Sequence, residues 1–361
     1  MSSTPHCALV LALSALVACH REQVKKDDAG AAQQGFIVRD GRDLAGEPLT
    51  FGVLGTRIVT VSEVPSASPV LELGGRFVVP AFIDSHAHLS YYAVADVLPL
   101  GGIVGAVDFA APLASLALSY PIAVRRSGPM LTSVGGYPTQ SWGAGGYGLE
   151  LASAEEAERA VDQLLDAGAD FIKLPLMASD GLPDDALRAV VTRAHARGLR
   201  VAAHALSAAD AKRAVESKVD ILAHTPTELL PEAVVLGFGE RTVISTLAAF
   251  GGTAAYDNLR ALRARGARVL YGTDLGNTRE ASIQASELQG LLAAGLSGAD
   301  IVRAATSDAA TFWGFAELGT LEPGKSASFL VLDEDPSANP LVLSKAHTTI
   351  WAGRVVAGEW P

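Results

Sequence analysis

Side chains that can bind metal ions occur in this chain where short apolar segments end. They are His86, His88, Lys173, His204, His224 and Asp274. His86 and His88 stand two residues apart at the end of VVPAFIDSHAHL, and the two-residue period of a strand directs both imidazoles to one side. Imidazoles with one carboxylate suit zinc or a similar first-row metal, and an aspartate in place of a further histidine keeps a position open for water. The pattern predicts a hydrolytic site with two metal ions.

Lys173 is the unusual member of this set, because a buried ammonium beside metal cations is costly. Either a carboxylate such as Asp274 pairs with it, or the amine loses its proton. Carbon dioxide converts a neutral lysine amine to a carbamate, whose two oxygens can each bind one metal ion. We expect carboxylated Lys173 to bridge two divalent metal ions, with zinc as the expected metal.

The other residues of the set have simpler alternatives. Taken singly, His204 and His224 could be hydrogen-bonded histidines of the core. Asp274 could cap a following helix, although Gly276 just after it fits a ligand better. Tyr91 and Tyr147 are candidate substrate-binding residues on the weaker ground that aromatic side chains commonly line pockets.

Strands alternating with helices must position these residues. The segments ADFIKLPL, LRVAAHA, VDILAHT and ARVLYGTD are short and apolar, with helix-like stretches between them. Similar segments at 103–109, 129–134 and 241–246 bring the total with the first strand to eight. This order predicts the α/β class and a (β/α)8 TIM-type barrel, in which the carboxyl ends of the strands meet at one mouth.

Two helices are well marked in the central part of the chain. Ser153 precedes AEEAERAVDQLLDAG as an N-cap, and Gly168 follows the last periodic residue. A second helix, DDALRAVVTRAHARG, ends at Gly198. It contains His195, which lies away from any strand end and is predicted to be structural.

Composition limits the partners of the chain. The 361 residues are 49% hydrophobic and carry a formal net charge of −11. Nucleic acids and anionic membrane surfaces favour clusters of Lys and Arg, so neither is expected as the main partner. We expect a small-molecule substrate, with self-association left open.

The first nineteen residues resemble a signal peptide. Residues 7–19, CALVLALSALVAC, are apolar but too short to span a bilayer. Leu16, Val17, Ala18 and Cys19 resemble a bacterial lipobox, which implies lipidation of Cys19 and a lipid-anchored protein of the cell envelope; ordinary secretion is the alternative, since residues 1–6 lack Lys and Arg. Residues 20–35 are polar, rich in Gly and Ala, and are typical of a flexible linker.

From about Phe36 onward the chain resembles the amidohydrolase superfamily, close to its imidazolonepropionase-like and Xaa-Pro dipeptidase-like branch. The matching pieces are PAFIDSHAH, GADFIKL, AHARGLRVAAHA, VDILAHT, YGTD and LGTLEPGKSASFLVLDEDP. The resemblance implies a barrel over 80–315 and a small β-sandwich built from 36–79 and 316–361. It departs at Ala81, where the family usually has glycine, and in the loops that line the pocket mouth, so chemistry is better supported than substrate.

The resemblance also implies which ligands bind which metal ion. His86, His88 and Asp274 hold a more buried metal, His204 and His224 hold a second, and carboxylated Lys173 and a hydroxide bridge the two. Asp274 then takes a proton from the hydroxide and passes it to the leaving nitrogen.

The expected reaction is hydrolysis of an amide or cyclic amide C–N bond, in a dipeptide or an N-acyl amino acid. A mononuclear imidazolonepropionase-like or deaminase-like hydrolase and a lactonase or esterase are the alternatives within the enzyme class. A lipid-anchored binding protein without turnover is the alternative of another class.

Overall fold

The structure, a computed structural model, describes residues 35–177 and 181–360. The predicted signal, Cys19 and residues 20–34 of the predicted linker lie outside the described residues. Gly35, the last residue of the predicted linker, belongs to the first strand that the structure describes. None of the helices in the described ranges is long and apolar enough to cross a membrane.

Short strands separated by Gly and Pro residues form the first part of the described chain. They are β1 (Gly35–Arg42), β2 (Pro48–Leu54), β3 (Arg57–Val59), β4 (Val70–Glu72) and β5 (Phe77–Pro80). β1 pairs antiparallel with β2 and parallel with β4, and β2 pairs antiparallel with β3. Their buried side chains face a shared apolar cluster that includes Val38, Val53 and Leu71.

Parallel strands with apolar side chains form the central part. They are β6 (Phe82–Ala87), β7 (Ile103–Asp108), β8 (Ala123–Arg126), β9 (Met130–Ser133), β10 (Gly148–Leu151), β11 (Ile172–Pro175), β12 (Val201–His204), β13 (Ile221–Leu222), β14 (Thr242–Ile244) and β15 (Arg268–Leu270). They pair in the orders β6-β7-β8, β9-β10 and β11-β12-β13-β14-β15.

Backbone hydrogen bonds connect these sheets. Ser85 N–H donates to the carbonyl of Tyr271 over 2.9 Å, which places β6 beside the chain that leaves β15. On the other side, Asp170 N–H donates to the carbonyl of Arg126 over 2.8 Å, which joins the segment before β11 to β8. The result is a TIM-barrel-like α/β fold.

All eight predicted segments of the central part contain a strand, which confirms the alternating pattern. Two further strands, β8 and β10, were not predicted. β8 lies just before β9 and is separated from it by Gly128, which has a φ of +70°. β10 follows the long Gly-rich loop 134–147 and pairs parallel with β9.

The C-terminal strands return to the N-terminal ones, as expected. They are β16 (Phe329–Leu332), β17 (Thr348–Trp351) and β18 (Arg354–Gly358). β16 pairs antiparallel with β5, which gives one eight-stranded sheet from both ends of the chain. A single residue, Ala81, separates β5 from β6, so this sheet supports the strand that carries His86.

Helices follow most of the central strands. They are α1 (Ala154–Asp166), α2 (Asp184–Ala196), α3 (Ala208–Glu216), α4 (Glu232–Phe238), α5 (Leu247–Phe250), α6 (Thr253–Ala264), α7 (Ala285–Ala293), α8 (Gly298–Ala305) and α9 (Ser307–Trp313). The hydroxyl of Ser153 accepts a hydrogen bond from Glu156 N–H, as the predicted cap of α1. His195 in α2 contacts Asp220 over 2.8 Å, which agrees with a structural role.

Candidate metal centre

Five of the six predicted ligands lie near or shortly after the carboxyl ends of their strands, and Lys173 lies inside its strand. His86 is in β6 and His88 follows it, Lys173 is in β11, His204 ends β12, His224 follows β13 and Asp274 follows β15. Because parallel strands present these ends at one edge, the side chains come together although the chain separates them widely.

His86 has a defined tautomer. Its Nδ1 lies 2.7 Å from the carbonyl oxygen of Ala223, and a carbonyl only accepts, so Nδ1 carries the proton. The Nε2 atom then carries a lone pair. It is buried, has no hydrogen-bond partner among the described residues and lies 3.3 Å from Oδ1 of Asp274. Two lone pairs that face each other at this distance fit a shared cation.

Asp274 is the point on which several contacts converge. Its Oδ1 lies 3.0 Å from Nε2 of His88, and its Oδ2 accepts a 3.1 Å hydrogen bond from Nδ2 of Asn277. Burial by itself would raise the pKa of Asp274, but the nearby His86 and His88 hold that pKa well below its usual range. The carboxylate is therefore ionised and fixed in orientation.

The backbone at Asp274 is shaped for this position. Its φ is +56°, in the left-handed region that non-glycine residues seldom adopt. Gly276 follows with a φ of +121°, and a Cβ atom there would lie 2.8 Å from Cβ of His88. This close approach explains why position 276, two residues after Asp274, is a glycine: a larger residue would displace His88.

Asp84 joins the strand of His86 to the strand of Asp274. Its Oδ1 accepts hydrogen bonds from the N–H groups of His86 and Thr273, each 3.0 Å long. Its Oδ2 accepts a 2.6 Å hydrogen bond from the hydroxyl of Thr273. Complete burial raises the pKa of Asp84 to about 6. The aspartate of the FIDSHAH motif thus positions two ligands without being one.

His204 and His224 form the other side of the centre, with ring centroids 4.7 Å apart. Nδ1 of His224 lies 3.0 Å from the hydroxyl of Thr246, and the ring contacts Phe250. Burial lowers the pKa of His224 well below its usual value and lowers the pKa of His204 to about 3. Both imidazoles are therefore neutral, which is the form that binds metal.

Lys173 is buried among these ligands. Its Nζ atom has no hydrogen-bond partner among the described residues and lies 4.7 Å from the ring centroid of Phe109. It makes no ion pair with Asp274, which was the simpler alternative. Burial lowers the pKa of Lys173 to about 7, against an opposing effect of Asp274. A substantial fraction of the amine is neutral at pH 7, and the neutral amine is the form that attacks carbon dioxide and becomes a carbamate.

The chemistry of these donors fits a metal ion. Ligand atoms of His86, His224 and Asp274 lie within 4.8 Å of one another, and all three side chains are buried. The division expected from the sequence, with His86, His88 and Asp274 at one ion and His204 and His224 at the other, stays a prediction. Neutral imidazoles with one carboxylate are the usual ligands of zinc and similar ions.

A cavity of about 410 Å³ opens onto the centre. Tyr91 lines it, as expected for a substrate-binding residue. Tyr147 is not among the lining side chains, since it lies behind Tyr91 and Trp142 and donates to the carbonyl of Ser90.

Several lining residues were not predicted. They are Met130, Tyr137, Trp142, Met177, Phe250, Asn277 and Arg279. Asn277 and Arg279 come three and five residues after Asp274. Because loops after the strands of a barrel surround its mouth, this position could have predicted that both residues line the cavity. Trp142 and Tyr137 lie in the long loop before β10. The path of this loop cannot be predicted from its composition.

The sequence profile of the amidohydrolase family matches residues 123–356. The chain therefore belongs to the amidohydrolase family, a family of hydrolases that are typically metal-dependent.

Two curated relatives are uncharacterised proteins of Mycobacterium tuberculosis and Mycobacterium bovis. Each is 27% identical over 240 residues, which cover 58% of this chain and 64% of the relative. The chain thus spans about 64% of the length of these relatives.

Solved structures resemble the fold over most of the chain. A Xaa-Pro dipeptidase with bound methionine has a TM-score of 0.74 at 18% identity and covers 90% of this chain and 100% of its own. Phenylurea hydrolase B has a TM-score of 0.72 at 20% identity, with coverage of 89% and 96%. At these identities the likeness shows the fold alone.

Proposed function

We propose that this chain is a binuclear metal-dependent amidohydrolase that cleaves an amide or cyclic amide C–N bond in a dipeptide or an N-acyl amino acid. The observation that carries the proposal is the meeting of His86 Nε2 with Asp274 Oδ1 at 3.3 Å, because the tautomer of His86 leaves both atoms as acceptors. A divalent cation, most readily zinc, satisfies both.

Two candidate ligands, His204 and Lys173, are not needed to bind the first ion, and they support a second ion. His204 and buried Lys173 both lie close enough to the centre to affect the pKa of its other members. Carboxylation of Lys173 would remove the cost of an unpaired buried amine and supply an oxygen to each ion.

When bound, the ions lower the pKa of a water molecule and polarise the substrate carbonyl. Asp274 accepts a proton from the attacking water and delivers it to the leaving nitrogen. Asn277 holds Oδ2 of Asp274, so the carboxylate keeps one orientation during both transfers. His224 is held in place by Thr246 and Phe250.

The proposal extends to architecture and location. The eight strands close into a barrel over 80–315, and a β-sandwich of 36–79 and 316–361 packs beside it. A lipid on Cys19 anchors the enzyme in the cell envelope. Exchange of Cys19 for alanine should then move the protein from the detergent-extracted fraction to the unprocessed or soluble one. Identical fractionation and mature mass would contradict the anchor.

Metal analysis combined with a substrate screen tests the proposed function. Purified protein should contain about two metal equivalents, and a panel of dipeptides, N-acyl amino acids, esters and lactones should show chelator-sensitive turnover of the amides. The proposal would be contradicted if only lactones were turned over, or if chelator had no effect on the turnover of any substrate.

A mononuclear hydrolase is the second candidate. The compact grouping of His86, His224 and Asp274 favours it, because these three and one water complete a tetrahedral site. Full activity at one metal equivalent per chain, unchanged on adding zinc, would support this alternative.

A further inference from the structure

Arg279 lies at the mouth of the cavity, immediately after the turn that Asp274 begins. Thr278 N–H donates to the carbonyl of Asp274 over 3.0 Å, which closes that turn. The carbonyl of Arg279 accepts a 3.3 Å hydrogen bond from the hydroxyl of Tyr92. The backbone of Arg279 is thus tied both to the loop of the catalytic carboxylate and to the loop that follows His88.

Two aromatic rings hold the side chain of Arg279. Its guanidinium carbon lies 5.4 Å from the ring centroid of Tyr91 and 4.8 Å from that of Tyr92. Cation–π attraction of this kind positions a guanidinium without using its N–H donors. The donors therefore stay available to a ligand in the cavity.

No Asp or Glu of the described residues forms an ion pair with Arg279. Two arginines elsewhere do have such partners: Arg193 pairs with Asp162, and Arg263 pairs with Asp300. Arg279 thus brings a positive charge to the cavity that nearby carboxylates do not neutralise. Guanidinium groups bind carboxylates through two parallel hydrogen bonds, which suits a planar anionic group.

The remaining wall is mostly apolar. Met130, Tyr137, Trp142 and Phe250 line the space between the mouth and the metal centre. The hydroxyl of Tyr137 already accepts a 2.7 Å hydrogen bond from the indole of Trp142, so the two rings mainly offer apolar surface. A ligand that fills this cavity combines an apolar group with an anionic group at the mouth.

We propose that Arg279 binds the free carboxylate of the substrate. The substrate is then an N-acyl amino acid or dipeptide with an apolar side chain and a terminal carboxylate, and neutral amides are poor substrates. This inference rests on the proposed amide hydrolysis and adds to it a class of substrate and the residue that selects it.

The test compares acids with their amides. N-acetyl derivatives of phenylalanine, leucine and methionine are supplied with a free carboxylate or with a C-terminal amide, and release of acetate is measured for both. For the wild-type enzyme we expect kcat/KM to be about tenfold to a hundredfold higher for the acids, mainly through KM. Arg279→Ala should bring that ratio close to one, and Arg279→Lys should give an intermediate ratio.

Arg265→Ala is the matched control. Arg265 is exposed, lies 3.7 Å from Glu232 and is not among the lining residues, so the ratio should stay at its wild-type value. Calorimetric binding of the same acids and amides to each variant provides a readout that does not need turnover.

The outcomes separate the two proposals. Acetate release with equal kcat/KM for acids and amides, or a ratio that Arg279→Ala leaves unchanged, overturns the carboxylate site and leaves amide hydrolysis standing. Absence of turnover, with tighter binding of the acids that Arg279→Ala abolishes, supports the carboxylate site and contradicts the proposed reaction. Absence of both turnover and a difference in binding overturns both.

Discussion

Lys173 is the residue whose chemical state depends most on its surroundings. In water its amine is protonated at neutral pH, but burial lowers the pKa of Lys173 to about 7. The aromatic face of Phe109 lies beside the amine, and no hydrogen-bond acceptor among the described residues reaches it. This environment is poor for an ammonium and suits a lysine that is modified to an anion and then bound by metal.

Lys173→Ala should therefore lose metal and activity together. We expect metal affinity to fall by more than about a hundredfold, since even residues that only support a ligand are worth 10–100-fold. Elemental analysis and turnover measure the two effects. Short carboxylic acids added to the variant should restore part of both.

Lys212→Ala is the matched control for this experiment, because Lys212 is exposed and pairs only with Glu216 on the same helix. Full activity of Lys173→Ala, with a normal metal content, would rule out the bridging role.

We expect Asp274 both to fill its place in the folded structure and to transfer a proton, and a substitution can separate these two roles. An amide fills the same space as the carboxylate but cannot accept and deliver a proton. Asp274→Asn should lower kcat by about 10²–10⁴-fold, while the midpoint of thermal unfolding changes little. Asp257→Asn, at an exposed aspartate that pairs with Arg260, serves as the control. Rates within about threefold of wild type would refute proton transfer by Asp274.

At the scale of elements, the short helix α5 positions His224. Thr246 precedes this helix with a φ of +43°, a strained conformation for a threonine, and its hydroxyl contacts His224. Glu287 in α7 holds the helix start, because its Oε2 accepts a 2.6 Å hydrogen bond from Ala248 N–H. Packing between α5 and α7 thus maintains the strained backbone that orients His224, a candidate metal ligand.

Glu287 should also make stability depend on pH. Complete burial raises the pKa of Glu287 from 4.5 to about 8, so its contribution to stability is full below about pH 4.5 and is lost as the pH rises through 8. Glu287→Gln keeps a neutral acceptor and should remove this dependence. Denaturant unfolding of both proteins between pH 5 and about pH 9 measures the difference, with a slope of at most about 1.4 kcal/mol per pH unit.

Glu287→Ala completes that comparison. It leaves Ala248 N–H without its partner, which should cost about 1–3 kcal/mol of unfolding free energy and weaken metal binding at His224. A wild-type and a Glu287→Gln protein with identical pH profiles would show that Glu287 is ionised in the folded state.

On the scale of the whole molecule, both chain ends support the centre. β16 pairs with β5, and β5 leads through Ala81 into the strand of His86. Asp84 then joins that strand to the loop of Asp274 at the end of the central sheet. The candidate metal ligands are therefore parts of one connected frame, and we expect a bound metal ion to stabilise that frame as a whole.

Removal of metal should lower the temperature of unfolding. An ion present at about 1,000 times its dissociation constant stabilises the folded state by about 4 kcal/mol, which corresponds to a shift of roughly 5 °C for a chain of this size. Scanning calorimetry with and without chelator measures the shift, and zinc added back should reverse it. Elemental analysis verifies that the metal has been removed. If the midpoint of thermal unfolding is then unchanged, metal binding does not stabilise the fold.

The sequence by itself predicted the candidate ligands, and it determined the alternation of strands and helices and the pairing of the two ends. Each of these depends on local signals: His86 and His88 share a strand period, and apolar runs end at His204, His224 and Asp274. Eight strands could be counted for the same reason. β8 was missed because Gly128 divides it from β9, and β10 was missed because a long loop precedes it.

Only the tertiary structure decided how the ligands are grouped, oriented and supported. The proton on Nδ1 of His86 is placed by the carbonyl of Ala223, which is 137 residues away in the chain. The lowered pKa of Lys173 comes from burial, and the position of Arg279 at the cavity comes from the rings of Tyr91 and Tyr92. These properties are set by contacts between distant segments, and composition and spacing do not specify which distant atoms meet.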